Sequence, residues 1–135
     1  MAVLSEEQSM LRDAAKSWVQ EKSPVTAFRK MRDSGAELGY DVAAWNEMAE
    51  MGWAGVIIPE EYGGSDFGYL SMGLILEELG RTLTASPLLS SGLAAASALI
   101  LGGSDAQKSE WLPKIAEGAV VATLAVDEGP PHHPD

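Results

Sequence analysis

The sequence has no cysteine, which excludes a disulfide framework, thiolate metal sites and cysteine nucleophiles, and which suits a reducing compartment. Positive charge is also scarce: nine Lys and Arg stand against 20 Asp and Glu, for a net charge of −11. Arg29-Lys30-Met31-Arg32 is the longest basic cluster, so a nucleic-acid or anionic-membrane surface, which needs a broad basic face, is not expected. No apolar run approaches the roughly 18 residues of a membrane span. The first residues reach Glu6-Glu7 without a basic stretch, so a signal peptide does not fit. The expectation is a soluble, cytoplasmic chain with no nucleic-acid partner and no membrane insertion. Its 135 residues suit one domain that buries about two-thirds of its unfolded surface.

What is present is mostly helical pattern. Ser5 and Gln8 form a capping box, with Glu6 and Glu7 at the favourable end of the helix dipole. Met10, Leu11, Ala14, Ala15, Trp18 and Val19 then make an apolar stripe at helical spacing. Ser23-Pro24 reads as an N-cap and first-turn proline of a shorter helix, with Phe28 and Met31 inward. Asp41 is the expected cap of a third helix through Val42, Ala44, Trp45, Met48 and Ala49, ending at Gly52. Trp53-Ala54-Gly55-Val56-Ile57-Ile58 fits either a short buried strand or an extended apolar segment between helices, and the second is preferred because few strands precede residue 119.

Pro59-Glu60-Glu61-Tyr62-Gly63-Gly64-Ser65 follows, a rigid proline joined to two glycines, and it reads as an ordered turn that aims the chain. Tyr69 to Leu83 carries Met72, Ile75, Leu76, Leu79 and Leu83 on one face and Glu77, Glu78 and Arg81 on the wet side, so it is expected to be the most buried helix. Ser86-Pro87 opens an almost uncharged helix from Leu88 to Leu101. Its small residues allow either close packing of a neighbour or room for a ligand. Ser104 and Gln107 repeat the capping box for a helix to Leu112, with Pro113 to Gly118 as a separate last turn or short helix. Ala119 to Val126 is apolar and rich in β-branched residues, a strand signal that implies a sheet beyond these residues. The fold class is therefore all-α, a bundle of six or seven helices (1–118), ending in one strand of an incomplete β-domain (119–135).

Self-contained chemistry is sparse. His132 and His133 with Asp127, Glu128 and Asp135 make a poor metal cluster, because adjacent histidines project in different directions. Glu60-Glu61 and Glu77-Glu78 are neighbours in sequence, whereas acid/base work needs carboxylates that converge on one substrate. No Ser-His-Asp pattern, phosphate loop or dinucleotide fingerprint occurs. Catalytic and metal residues are not assigned.

Family resemblance adds to this. Gly52-Trp53-Ala54-Gly55 through Pro59-Glu60-Glu61-Tyr62-Gly63-Gly64, then Glu77-Glu78-Leu79-Gly80-Arg81, Gly103-Ser104-Asp105-Ala106-Gln107-Lys108 and Trp111-Leu112-Pro113-Lys114-Ile115-Ala116-Glu117-Gly118, resemble the N-terminal half of an acyl-CoA dehydrogenase, in order and over nearly the whole chain. The resemblance implies an FAD flavoprotein with an N-terminal helical domain, a middle β-domain and a C-terminal helical domain, in a homo- or hetero-oligomer. It also implies an acyl-CoA substrate and an electron-transfer flavoprotein-like acceptor. The family's glutamate base belongs to the C-terminal domain, so none is named in this chain. By the same resemblance Pro87, Ser90, Ser91, Ala94 and His133 are expected at the substrate, and Leu124, Val126 and Asp127 at FAD. Two positions depart from the pattern: Asp127 stands where the family has threonine, and His133 near its serine. An ionised carboxylate accepts but does not donate a hydrogen bond. The alternative implied is a non-catalytic helical interaction subunit of a heteromeric dehydrogenase.

Overall fold

A computed structural model describes residues 3–126 of the chain. Six α-helices are described: α1 (Glu6–Lys22), α2 (Val25–Asp33), α3 (Val42–Glu50), α4 (Gly68–Arg81), α5 (Ala96–Gly102) and α6 (Asp105–Ala116). A π-helix, Leu88–Ala95, runs directly into α5, and single 3-10 turns lie at Trp53–Gly55 and Glu60–Tyr62.

α1 starts where its capping box predicts, with the Gln8 N–H donating to Ser5 Oγ at 3.1 Å and the Ser5 N–H to Gln8 Oε1 at 3.0 Å. It packs along α4 through Ala15, Trp18 and Val19, which meet Met72, Ile75 and Leu79 in the core. Trp18 sets its ring edge against Trp53 at 5.5 Å between centroids and donates its Nε1–H to Glu47 at 2.9 Å. One indole thereby links α1, α3 and the Trp53 turn, adding an aromatic contact to its apolar burial.

Trp53 to Ile58 is the most deeply buried stretch, and it forms no strand. It coils instead of extending: Gly52 takes φ +80°, and the N–H groups of Gly55, Val56 and Ile58 each reach back three residues. These local bonds and those from residues 65–67 take the place of a sheet partner. After Pro59 the chain turns through Glu60–Tyr62, then Gly63 at φ +84°, and comes back alongside itself. Ser65 N–H donates to Gly55 O at 3.0 Å, Asp66 N–H to Ile58 O at 3.0 Å and Phe67 N–H to Val56 O at 2.8 Å. A Cβ at Gly64 would overlap the Ile58 carbonyl. These three bonds aim α4 at α1.

Several local expectations are corrected. Met10, Ala14 and Leu83, expected on apolar faces, are exposed, and Leu83 lies past the end of α4 at φ +55°. Ser23 does not cap α2: it closes α1 and is buried, with its hydroxyl 2.8 Å from Thr84 Oγ1, so Pro24 takes the N-cap place. Phe28 and Met31 are only half-buried, because α2 contributes no fully buried residue. Glu78 is not on the wet side. It is buried beneath α1, and Arg81 Nε at 3.2 Å compensates its charge. Finally, α6 runs through Pro113 to Ala116 as one helix; Leu112, Ile115 and Ala116 bury a common face there, which outweighs the one backbone bond that proline removes.

The strand expected over 119–126 is not seen: residues 119 and 120 form a bend and 121–126 take no regular secondary structure. Residues 127–135, with the Asp127 and His133 assignments, lie outside the described residues.

The backbone clasp has a direct test in glycine substitutions. Gly64→Ala is expected to lower unfolding free energy by more than about 3 kcal/mol or to prevent folding, since the obstruction is backbone. Gly73→Ala, on an exposed turn of α4 with free space around it, is expected to be neutral or stabilising by up to about 1 kcal/mol. Urea unfolding followed by circular dichroism reads both.

Candidate functional site

The residues from Thr82 to Ser104 include no titratable side chain, and the π-helix Leu88–Ala95 lies at the centre of that uncharged stretch. The π-helix has the widest backbone turn of the chain, a form found as short pieces at functional sites. Its sequence explains how it fits. Gly92 brings the helix backbone against the Trp53 turn, where a Cβ would lie 3.2 Å from Ala54 O and 3.0 Å from Leu88 Cδ1. Leu88, Ser91, Gly92 and Ala95 are buried on that side.

The four expected pocket residues on this element separate into two pairs. Ser90 and Ala94, four apart on the same face, are half-buried and line an open side; Ser90 donates its hydroxyl to Pro87 O at 3.1 Å. Pro87 and Ser91 face inward. Ser91 is fully buried and its Oγ accepts the Ala122 N–H at 3.1 Å. That bond carries no sequence signal, because its partner is a backbone group 31 residues away.

The outgoing segment is tied down in three places. Trp45 Nε1 donates to Gly118 O at 3.2 Å, Val120 N–H to Lys114 O at 3.2 Å, and Ala122 N–H to Ser91. Beyond Ala122, the backbone N–H groups of 123–126 take no partner among the described residues, and Leu124 and Val126 are 50% and 76% exposed. The result is an uncharged wall on one side and a short irregular segment beside it, whose backbone donors have no partner among the described residues and whose apolar side chains are exposed.

This surface can line and orient an apolar ligand. It carries no acidic or basic side chain. Two grooves lie elsewhere: one of about 470 Å³ between α1 and the end of α4, bearing Arg12, Lys16, Glu78 and Arg81, and one of about 430 Å³ beside α2, with Phe28, Met31 and Tyr40. Tyr62, on the Pro59 turn, has its phenol pushed above the ordinary range by desolvation, then by the charges of Glu61 and Asp105, and so stays neutral. Among the described residues there is no metal-ligand cluster, and no helix is long and apolar enough to cross a membrane.

A family model for the N-terminal domain of acyl-CoA dehydrogenases matches residues 5–119. The chain belongs to the acyl-CoA dehydrogenase family. It is 36% identical over 122 residues to the acyl-CoA dehydrogenase IpdE2 of Mycolicibacterium smegmatis, covering 90% of this chain and 37% of that protein. It is 38% identical over 127 residues to (2S)-methylsuccinyl-CoA dehydrogenase of Cereibacter sphaeroides, covering 93% of this chain and 22% of that one. The chain thus spans between about a fifth and two-fifths of the length of these relatives. Among solved structures it superposes on the ChsE4-ChsE5 complex from Mycobacterium tuberculosis with a TM-score of 0.85 at 27% identity, over 99% of this chain and 36% of that one. The all-helical acyl-CoA dehydrogenase N-terminal fold expected from the motifs is therefore the observed one.

Gly92→Ala tests the close approach that positions the wall. The added methyl is expected to lower stability by about 1–3 kcal/mol through overpacking against Ala54. Ala94→Gly, on the open side, is expected to lose at most about 1 kcal/mol, from helix propensity. Thermal unfolding of both variants beside the parent gives the comparison.

Proposed function

We propose that this chain is the N-terminal part of an acyl-CoA dehydrogenase-like flavoprotein, catalysing FAD-dependent α,β-dehydrogenation of an acyl-CoA thioester. In this reading, residues 1–118 are the N-terminal helical domain and 119–135 begin the middle β-domain. The observation that carries the proposal is the pairing of an uncharged π-helical wall with a segment of backbone donors that have no partner among the described residues, inside a chain of this family.

Ser90 and Ala94 form the open wall of the acyl pocket; Pro87 and Ser91 support it from behind. An apolar wall suits an acyl chain because burial of each methylene contributes roughly 0.8 kcal/mol and demands no polar partner. Leu124, Val126 and Asp127 are assigned to FAD, and His133 to the substrate. The free N–H groups and apolar side chains of 124 and 126 fit the edge of a flavin ring, which is apolar in body and carries acceptor atoms. FAD, when bound, supplies the acceptor for the β-hydride. This chain contributes binding, orientation and exclusion of water, with the base assigned to the family's C-terminal domain. A homo- or hetero-oligomer, an electron-transfer flavoprotein-like acceptor and a cytoplasmic location complete the proposal.

A second reading rests on one specific observation, the Asp127 and His133 substitutions, and makes the chain a non-catalytic helical subunit of a heteromeric dehydrogenase. The complete protein separates the two. Reconstituted with FAD it is expected to show a bound-flavin absorption band and to reduce it with an acyl-CoA; a product that stays colourless contradicts the first reading and supports the second. In the active protein, Ala94→Leu is expected to lower kcat/KM for longer acyl chains relative to short ones by about 10-fold or more, from lost pocket volume. Steady-state kinetics over a chain-length series measures it.

A further inference from the structure

The chain leaves α6 by a path fixed at alternate residues, Gly118, Val120 and Ala122, and the last of these ties is the only one made by the π-helix. Ser91 is fully buried, so its hydroxyl has no water to turn to, and it meets Ala122 N–H at 3.1 Å. Ala122 itself packs against the hydrophobic core. Ser90, the next residue back, spends its hydroxyl on Pro87 O within its own helix. The two adjacent serines therefore do different work: one braces the turn of the wall, and the other reaches across to a separate segment.

We infer that Ser91 is a positioning residue, a clamp that fixes the outgoing segment against the π-helical wall and so sets where Leu124 and Val126 begin relative to Ser90 and Ala94. The tie is short and direct. From Ala122, Leu124 is two residues on and Val126 four. A wall and a segment that are joined through one hydroxyl move together, and residues beyond that tie have no other backbone bond to hold their register among the described residues. Oxygen, sulfur and hydrogen at this position separate packing from hydrogen bonding: cysteine keeps the serine shape with a slightly larger atom that accepts weakly, whereas alanine removes the group. The inference takes its purpose from the acyl and flavin assignments proposed above, and the clamp itself stands apart from them.

Amide hydrogen exchange by NMR on the 135-residue chain tests it. In the parent protein Ala122 is expected to exchange more slowly than Leu124 and Val126. Ser91→Cys and Ser91→Ala are both expected to speed exchange at Ala122 by about 3- to 10-fold, the equivalent of one hydrogen bond, while amides of α1 and α4 keep their rates. Three results overturn the clamp: an Ala122 amide that is unprotected in the parent, a Ser91→Cys variant whose Ala122 rate is unchanged, or acceleration spread equally over α1 and α4, which marks Ser91 as core packing alone. In the FAD-loaded complete protein, Ser91→Cys is expected to shift the bound-flavin absorption band, the signature of a displaced flavin-side segment; an unshifted band overturns the positioning role. A parent protein that binds no flavin but shows the predicted exchange pattern contradicts the proposed function and leaves the clamp standing.

Discussion

The backbone of Gly64 lying against the carbonyl of Ile58 is the constraint on which the other elements depend. With no side chain in the way, the chain after Pro59 folds back onto Gly55 to Ile58 and forms three main-chain bonds there. Those bonds bury the Trp53 to Ile58 stretch without a sheet and fix the direction in which α4 leaves. The packing of α4 on α1 and the burial of Glu78 with Arg81 follow from that direction. The glycine is needed here for space, which distinguishes it from Gly63, whose role is the positive φ.

The same buried turn carries the proposed acyl-binding surface. Ala54 sits under Gly92, so the clasp that orients α4 also seats the π-helix from behind. Because that element contains no charge and packs backbone to backbone, its open side at Ser90 and Ala94 is left apolar and small. The exit path is held by groups from three elements, Trp45 of α3, Lys114 of α6 and Ser91 of the π-helix. Rigidity at Gly118 to Ala122 gives way to free backbone donors immediately afterwards, at the place where the proposed flavin contacts begin.

The helices were legible because their signals are local. Both capping boxes, at Ser5 with Gln8 and Ser104 with Gln107, and the Asp41 cap occur as read, since each depends on residues three apart or fewer. The Pro59 to Gly64 turn was legible for the same reason. What could not be read depends on distant neighbours. Ser23 was claimed by Thr84, 61 residues on, so a local cap pattern lost to a tertiary bond. Glu78 followed the helix period onto a face that α1 covers, and Pro113 was overruled by the burial of Leu112, Ile115 and Ala116. The small-residue stretch from Leu88 reads as helix, and neither its π winding nor the approach of Gly92 to Ala54 is encoded in its composition. Of the proposed site, the family resemblance names the element, and the fold separates half-buried Ser90 and Ala94 from buried Ser91.

The account places an acyl chain against the open face of the π-helix, and a crystal structure of the complete FAD-loaded protein with a non-reacting acyl-CoA thioether addresses that most directly. The predicted result is acyl carbons in van der Waals contact, about 4 Å, with Ala94 Cβ and the Ser90 side chain. An acyl chain bound elsewhere, with Ser90 and Ala94 covered by protein, would contradict it.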